Sequence, residues 1–374
     1  MKTVIARRTV FLASPAVWAR GHGPSHPLKH ERLQRTFELL DEYGAFEAPN
    51  VRVIAPRLAA DEELALFHAH EYIDVVRALS AGDVMVPAYR YGFGRGDNPV
   101  FEGMFETEGV KVGSALLAAE MLVKSECDVA FSFSGGLHHA GPNFASGFCV
   151  FNDIAVAIHW LLRRDLRVAY VDIDVHHGDG VQAAFYDTDR ALTISLHQDG
   201  HTLFPGTGFV EEVGSGAGHG YSVNVPLPPY TDDGAYLWAF HQVVPPLLER
   251  FKPDLVVTQL GVDTHHHDPL AQLALTTAGH VALFEALDKL APRWLALGGG
   301  GYDISVVPSS WTLAFGVMSG QSFPDELPER YRARYGGHSL RDRDAPLLDA
   351  TLQRWMRRDV EAVVAQVKQR HNLA

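Results

Sequence analysis

Cysteine is scarce in this chain: only Cys127 and Cys149 occur among 374 residues, against 20 histidines. Two cysteines form at most one disulfide, which excludes a disulfide-stapled fold, and they cannot supply a structural zinc site of four thiolates. We expect both thiols to be free and buried. Many histidines with few cysteines favour instead a metal site built from imidazoles and carboxylates.

Positive charge and long apolar runs are also in short supply. Lysine and arginine total 32 against 45 aspartates and glutamates, a formal charge of −13, which argues against sequence-independent binding of nucleic acid phosphates. No apolar run reaches the ~18 residues that a membrane span requires. Arg7 and Arg8 stand where a signal peptide would have its apolar stretch. These features predict a cytoplasmic protein with no nucleic acid or membrane partner, and they indicate no oligomeric state.

Short apolar runs rich in β-formers alternate with longer amphipathic stretches along the chain, and 47% of its residues are hydrophobic. This alternation predicts an α/β fold with a single open, mainly parallel sheet flanked by helices. No linker or repeat interrupts it, so we expect one domain over residues 1–374. The predicted strands are 129–134, 168–175, 192–197, 221–225, 255–263 and 294–297. The predicted helices are 31–43, 61–79, 103–124, 152–164, 234–250, 276–290 and 345–369.

Four of the predicted strands end in polar or glycine-rich clusters, where α/β sheets bind their ligands. In the run 168–175, Asp172 and Asp174 alternate toward His176, so an extended chain would place all three side chains on one face. Buried polar groups of this kind are costly unless they are paired or bind a metal. Asp174 and His176, with Asp263 from another strand end, therefore predict a catalytic metal site with an open position. The alternative is that the aspartates cap a helix and His176 bonds locally.

Two further strand ends carry groups suited to catalysis. His138 and His139 follow one strand, and Asp172 or Asp179 could hold their ring N–H groups and fix their tautomers. Tyr302 follows a run of four glycines and would offer its hydroxyl to the cleft. The alternatives are two solvated histidines and an ordinary glycine loop.

His265, His266 and His267, here termed the histidine triplet, also suggest a metal site. We discount it, because consecutive residues of an extended segment cannot all point at one ion. The triplet is expected to be a solvated or supporting element at the rim of the site.

Seven motifs, in this order, resemble the arginase/deacetylase superfamily, specifically the zinc-dependent histone deacetylases and the bacterial acetoin-utilisation deacetylases. They are HPLK at 26–29, GGLHHA at 135–140, ASGFC at 145–149, DIDVHHGDG at 172–180, FPGTG at 204–208, GVD at 261–263 and GGGGY at 298–302. The resemblance covers most of the chain. It implies hydrolysis of N-acetyl-lysine in a protein or peptide.

The resemblance also implies a role for each matching residue. The metal ligands would be Asp174, His176 and Asp263, holding zinc or ferrous iron. The catalytic residues would be His138, His139, Asp172, Asp179 and Tyr302. The substrate-binding residues would be Gly147, the aromatic walls Phe148 and Phe204, the rim residue Asp97, the gatekeeper Leu270 and, in an inner cavity for released acetate, Arg32. A structural potassium ion would be held by Asp172, Asp174, His176, Ser195 and Leu196.

Some interpretations stay open at this point. Leu270 stands where an acidic residue would indicate acetylpolyamines, so a protein substrate is favoured, with a small acetylated amine as the alternative. A two-manganese ureohydrolase is disfavoured by Tyr302 and the aromatic walls. A non-catalytic acyl-lysine-binding protein is disfavoured because no ligand, base or tyrosine position is lost.

Overall fold

An eight-stranded sheet forms the centre of the computed structural model, which describes residues 7–374. The strands are β1 Thr9–Leu12, β2 Val51–Ile54, β3 Val129–Ser132, β4 Val168–Asp172, β5 Ala191–Gln198, β6 Ser222–Leu227, β7 Leu255–Gln259 and β8 Trp294–Leu297. They lie in the order β2-β1-β3-β8-β7-β4-β5-β6, and every pair is parallel. The predicted fold class is confirmed.

Eleven helices accompany the sheet in the described part of the chain. They are α1 Glu31–Glu42, α2 Asp61–Leu64, α3 His70–Ser80, α4 Met104–Val123, α5 Asp153–Leu162, α6 Asp179–Ala184, α7 Asp233–Phe251, α8 Thr277–Leu290, α9 Val306–Ser319, α10 Glu329–Tyr335 and α11 Ala350–Arg370. None of these helices combines the length and the apolar character needed to cross a bilayer.

The alternating side chains of the strands build two hydrophobic layers. In β3, Val129 and Phe131 pack into one core cluster, whereas Ala130 packs into the cluster on the opposite side. Both faces are therefore apolar, as expected for parallel strands covered by helices on both sides. This explains why the strand sequences read as continuous apolar runs.

Several element predictions differ from the structure. The short strands β1 and β2 were not predicted, nor were α6, α9 and α10. The predicted helix 61–79 is two helices, α2 and α3, because the chain between them bonds elsewhere: the ring Nε2 of His68 accepts the backbone N–H of Asn152 at 2.9 Å, and the Ala69 N–H donates to Pro142 at 2.8 Å. The strands predicted at 168–175 and 255–263 end early, at Asp172 and Gln259.

The sheet order places the four polar strand ends side by side. β3, β8, β7 and β4 are consecutive neighbours, and all four run in the same direction. Their carboxyl ends therefore open onto one edge of the sheet. The residues that follow these strands are the ones from which the candidate site is built.

Candidate active site

The three predicted metal ligands meet beyond the ends of β4 and β7. Nδ1 of His176 lies 3.1 Å from Oδ1 of Asp174 and 3.1 Å from Oδ2 of Asp263, and one ligand atom of each residue lies within 4.8 Å of the other two. All three residues are buried. Asp174 and His176 follow the strand rather than extend it. The Asp174 N–H donates to Oδ1 of Asp172 and the His176 N–H donates to Oδ1 of Asp174, so these bonds, and not strand alternation, position the two side chains.

Both carboxylates are held in place by donors from the surrounding backbone and one amide. Oδ2 of Asp174 accepts Nε2 of Gln259 at 2.5 Å and the backbone N–H of Gly300 at 2.7 Å. Oδ1 of Asp263 accepts the Val175 N–H at 2.9 Å. Gln259 was not predicted; its sequence signal is an amide at the end of a buried strand. These bonds leave one oxygen of each carboxylate directed at His176.

The electrostatics of this cluster suit a cation. Burial would lower the pKa of His176, but its bonds to Asp174 and Asp263 raise it to about 10. Burial and the charge of Asp174 raise the pKa of Asp263 to about 7. Two buried carboxylates beside a single imidazole carry excess negative charge, which is costly without a positive partner. The donor set, two carboxylates and one imidazole, fits a divalent metal ion such as zinc or ferrous iron.

His138 lies beside the cluster and pairs with Asp172. Its Nδ1 is 2.8 Å from Oδ2 of Asp172, which also accepts the Tyr170 hydroxyl at 2.7 Å. Burial opposes a charge on this ring, but Asp172 and Asp174 outweigh it and raise the pKa of His138 to about 9. His138 is therefore the protonated member of the histidine pair at neutral pH.

His139 pairs with Asp179 and has the opposite protonation. Its Nδ1 lies 2.7 Å from Oδ1 of Asp179. Burial and the neighbouring charge of His138 lower the pKa of His139 to about 4, although Asp179 opposes this. The left-handed Gly147 packs directly on the His139 ring, where a Cβ atom would collide with it. His139 is thus a neutral imidazole whose Nδ1 is engaged and whose Nε2 is left to act.

Three aromatic side chains surround these groups. The Tyr302 ring lies 6.2 Å from His176 and 5.7 Å from Phe148, and the Phe204 ring lies 5.0 Å from His139. Burial and the charges of Asp263 and Asp174 raise the pKa of Tyr302 well above its ordinary value, so the phenol stays protonated. The site is therefore bordered by apolar rings and one hydroxyl donor.

The outer predicted residues occupy different surroundings. Asp97 is exposed, and its backbone carbonyl accepts Nε2 of His26 at 3.1 Å, so its segment lies against the HPLK motif. Leu270 is exposed, and its N–H donates to Asp268 at 2.9 Å. Arg32 is buried, donates to the Gly301 carbonyl at 3.1 Å and lines a small inner cavity.

The residues predicted to hold potassium adjoin one another across two strands. Asp172 of β4 is in register with Ser195 of β5. The Ser195 hydroxyl bonds to Nδ1 of His197 at 2.8 Å, and the Leu196 carbonyl accepts the Tyr236 hydroxyl at 3.0 Å. The structure thus brings these groups near the candidate metal site, and the potassium itself stays a prediction.

The histidine triplet differs from its prediction in backbone shape and in burial. The segment is not extended: the His265 N–H donates to the Val262 carbonyl and the Asp268 N–H donates to the His265 carbonyl, which makes a tight turn. One ring nitrogen of each histidine therefore lies within 4.8 Å of the other two. His265 is also buried rather than a solvated rim residue.

Two further acidic residues shape the site and were not predicted. Oδ2 of Asp268 accepts the Tyr302 N–H at 2.8 Å, and burial raises the pKa of Asp268 to about 6. The fully buried Asp153 accepts the backbone N–H groups of Gly136 and Leu137, at 3.0 and 2.8 Å, and so fixes the loop before His138. Asp153 follows the N-cap Asn152, which made it look like an ordinary helix-start residue.

Comparisons with known proteins agree on one family. A model of the histone deacetylase domain matches residues 26–318. The acetoin utilization protein AcuC of Bacillus subtilis is 39% identical over 88% of this chain and 87% of its own length. Histone deacetylase 1 of Homo sapiens is 39% identical over 84% of this chain and 65% of its own length. Two solved structures are similar to this chain: an HDAC homologue from Aquifex aeolicus, and an HDAC homologue complexed with SAHA. Each superposes on this chain with a TM-score of 0.88 at 30% sequence identity, and the match covers 96% of this chain and 100% of the solved chain.

Proposed function

The chain belongs to the histone deacetylase family, and from that premise we propose that it is a metal-dependent amidohydrolase that removes acetyl groups from N-acetyl-lysine side chains. The observation that carries the proposal is the convergence of Asp174, His176 and Asp263, with His176 Nδ1 at 3.1 Å from both carboxylates, beside two histidines that each pair with an aspartate.

We assign the metal ligation to Asp174, His176 and Asp263. A zinc or ferrous ion bound there would supply Lewis acidity toward the acetyl carbonyl and lower the pKa of water from 15.7 toward ~7. The hydrogen bonds from Gln259 and Gly300 fix the Asp174 carboxylate before any ion binds. Such preorganised outer partners orient metal ligands.

The two histidines divide the proton chemistry. His139, neutral near pH 7 because its pKa is lowered to about 4, accepts the proton of the attacking water at Nε2 and then donates it to the leaving amine. Asp179 holds its Nδ1–H and so fixes that tautomer. His138, whose Nδ1 pairs with Asp172 at 2.8 Å, gives electrostatic support to the anionic transition state.

Tyr302 donates its hydroxyl hydrogen to the carbonyl oxygen as charge develops there. Its raised pKa keeps that hydrogen on the oxygen, and Asp268 positions the residue through its backbone. Phe148 and Phe204 line the passage for the flat aliphatic stem of the acylated lysine. Their apolar rings disfavour the charged lysine product and thereby promote its release.

The proposed substrate preference depends on residues that lie outside the metal cluster. The exposed Leu270 offers an apolar contact where a carboxylate would attract a polyamine. Asp97, at the rim, would hold the peptide backbone, and Arg32, over the Trp311 ring, would receive acetate in the inner cavity. A potassium ion held by Asp172, Asp174, His176, Ser195 and Leu196 would brace the ligand loop. We propose a cytoplasmic location on the grounds of the sequence alone.

A substrate panel tests this proposal. Acetate release should be measured from an acetyl-lysine peptide, an acetylated polyamine and a small acetamide, with and without a hydroxamate that chelates the metal. We expect the peptide to have the highest kcat/KM and the hydroxamate to block turnover. Leu270→Glu should shift the preference toward the polyamine. Preferential cleavage of the polyamine by the unaltered chain would overturn the protein-substrate assignment, and absence of any acetate release would overturn the enzyme assignment.

A further inference from the structure

The histidine triplet is a cluster of metal-binding side chains that the proposed function does not use. The turn after Asp263 stacks its rings against one another, with centroid separations of 4.6 Å, 4.0 Å and 5.3 Å. One nitrogen of each ring lies within 4.8 Å of the other two. In a tetrahedral zinc site with Zn–N bonds of ~2.0–2.1 Å, ligand nitrogens stand roughly 3.3 Å apart. Small side-chain rotations would close that gap, and His267, with 44% of its side chain exposed, has room to move.

Carboxylates face two of the three rings from outside the cluster. Nε2 of His265 lies 2.9 Å from Oδ2 of Asp342, and Nε2 of His267 lies 3.4 Å from Oδ2 of Asp344. Histidines that bind metals characteristically present the other ring nitrogen to a carboxylate in this way. Because Nε2 of His265 is bonded to a carboxylate and Nε2 of His267 faces one, Nδ1 is the atom that a metal would use in each of these two rings.

The Asp342 carboxylate is itself anchored. Its Oδ2 accepts the Thr277 N–H at 2.6 Å, while the Asp342 N–H donates to the Thr277 hydroxyl at 3.0 Å. The first turn of α8 therefore fixes the partner of His265. Because Thr277 bonds to both the carboxylate and the backbone N–H of Asp342, the carboxylate keeps one orientation and holds the His265 ring in place.

The third ring has a nitrogen without a partner. Nε2 of His266 is shielded from solvent and has no hydrogen-bond partner among residues 7–374. A buried polar atom left unpaired is destabilising, so it points to a missing partner. The Nδ1 of His265 accepts the His267 backbone N–H at 3.2 Å, a long contact that a metal would replace.

We propose that the histidine triplet binds a divalent cation of the zinc, nickel or copper class, separate from the candidate catalytic metal. His265, His266 and His267 supply three imidazole ligands, and Asp342 and Asp344 orient the outer two. Imidazole suits these metals, and three protein ligands leave one position for water or an exchangeable group. The site goes beyond the proposed deacetylase function and does not depend on it.

Zinc stoichiometry tests the site. The protein is first freed of metal with a chelator and then dialysed against Zn²⁺. Elemental analysis then gives the number of zinc ions bound per chain. The His266→Ala, His267→Ala double variant should bind one equivalent fewer than the unaltered chain. Asp174→Asn should retain the equivalent that this double change removes. Asp342→Asn should weaken that equivalent by ~10–100-fold.

A matched control separates the triplet from surface histidine in general. His201 is exposed and pairs with Asp199 at 2.8 Å, but within residues 7–374 it belongs to no group of three potential ligands, so His201→Ala should leave the zinc count unchanged. Circular dichroism checks that each variant is folded; both mutated triplet positions reach the surface. Equal zinc binding by the double variant and the unaltered chain would overturn the proposal. Because the Asp174→Asn arm counts zinc and not turnover, failure of the deacetylase proposal would be recognised separately.

Discussion

Replacing Asp179 by asparagine removes the charge that holds His139 in its working tautomer. The two residues meet at 2.7 Å, and the His139 ring is buried, with 5% of its side chain exposed, so solvent cannot substitute for the carboxylate. An asparagine amide could present an N–H to Nδ1 and place the ring hydrogen on Nε2, where the base must be free. A positioned general base contributes 10²–10⁴-fold, and we expect Asp179→Asn to lower kcat/KM by about that factor. This loss corresponds to about 3–5 kcal/mol of transition-state stabilisation.

The assay is acetate release from an acetyl-lysine peptide, with metal content and circular dichroism measured on the same samples. The metal content should be unchanged, because Asp179 contacts none of the proposed ligands. If Asp179 acts through His139, the double variant His139→Ala, Asp179→Asn should be no slower than His139→Ala alone. Asp199→Asn, which breaks the exposed pair with His201, is the matched control and should keep full activity. A fall of less than tenfold in folded, metal-loaded Asp179→Asn, or additive losses in the double variant, would refute the reasoning.

Three other variants test the oxyanion donor, the packing around the metal ligands and a buried histidine. Tyr302→Phe should lower kcat by ~10²–10³-fold with metal content intact, as loss of an oxyanion donor does, measured by steady-state kinetics. Gly300→Ala should abolish tight metal binding in a zinc titration, because the new Cβ would collide with the Asp263 and Asp174 carboxylates. Burial lowers the pKa of His68 in the folded chain to about 3. Between pH 6.5 and pH 3 the unfolded chain therefore binds one more proton at His68 than the folded chain does, so the free energy of unfolding falls as the pH falls. His68→Gln should reduce that slope by up to ~1.4 kcal/mol per pH unit in chemical denaturation, and an unchanged slope would contradict this.

The layout of the site could be predicted where local sequence and global topology agree. Apolar strand runs that end in Asp, His or glycine predicted the sheet edge at which Asp174 and Asp263 meet, because parallel neighbours share that edge. The sequence also predicted Asp172 and Asp179 as candidate partners of the two histidine rings, because a carboxylate that holds a ring N–H fixes the tautomer of the imidazole. The metal itself and the roles of these residues stay predictions that the experiments above address.

Other features depend on contacts between distant segments. Gln259 and Asp268 act on the site through hydrogen bonds to Asp174 and Tyr302, which lie 85 and 34 positions away along the chain. The helix predicted over 61–79 breaks because His68 bonds to Asn152, 84 positions away. The extended backbone predicted for the histidine triplet is wrong, because the His265 N–H bonds to the Val262 carbonyl and the Asp268 N–H bonds to the His265 carbonyl, which folds the segment into a turn.

The most direct test of metal-dependent deacetylation measures acetate release from an acetyl-lysine peptide. The same chain is assayed as purified, after a chelator has removed its metal, and after Zn²⁺ has been restored. If the reaction depends on the metal, chelation will abolish turnover, zinc will restore it, and Asp174→Asn will be inactive in all three conditions. Undiminished acetate release by the metal-free chain, or by Asp174→Asn, would contradict it.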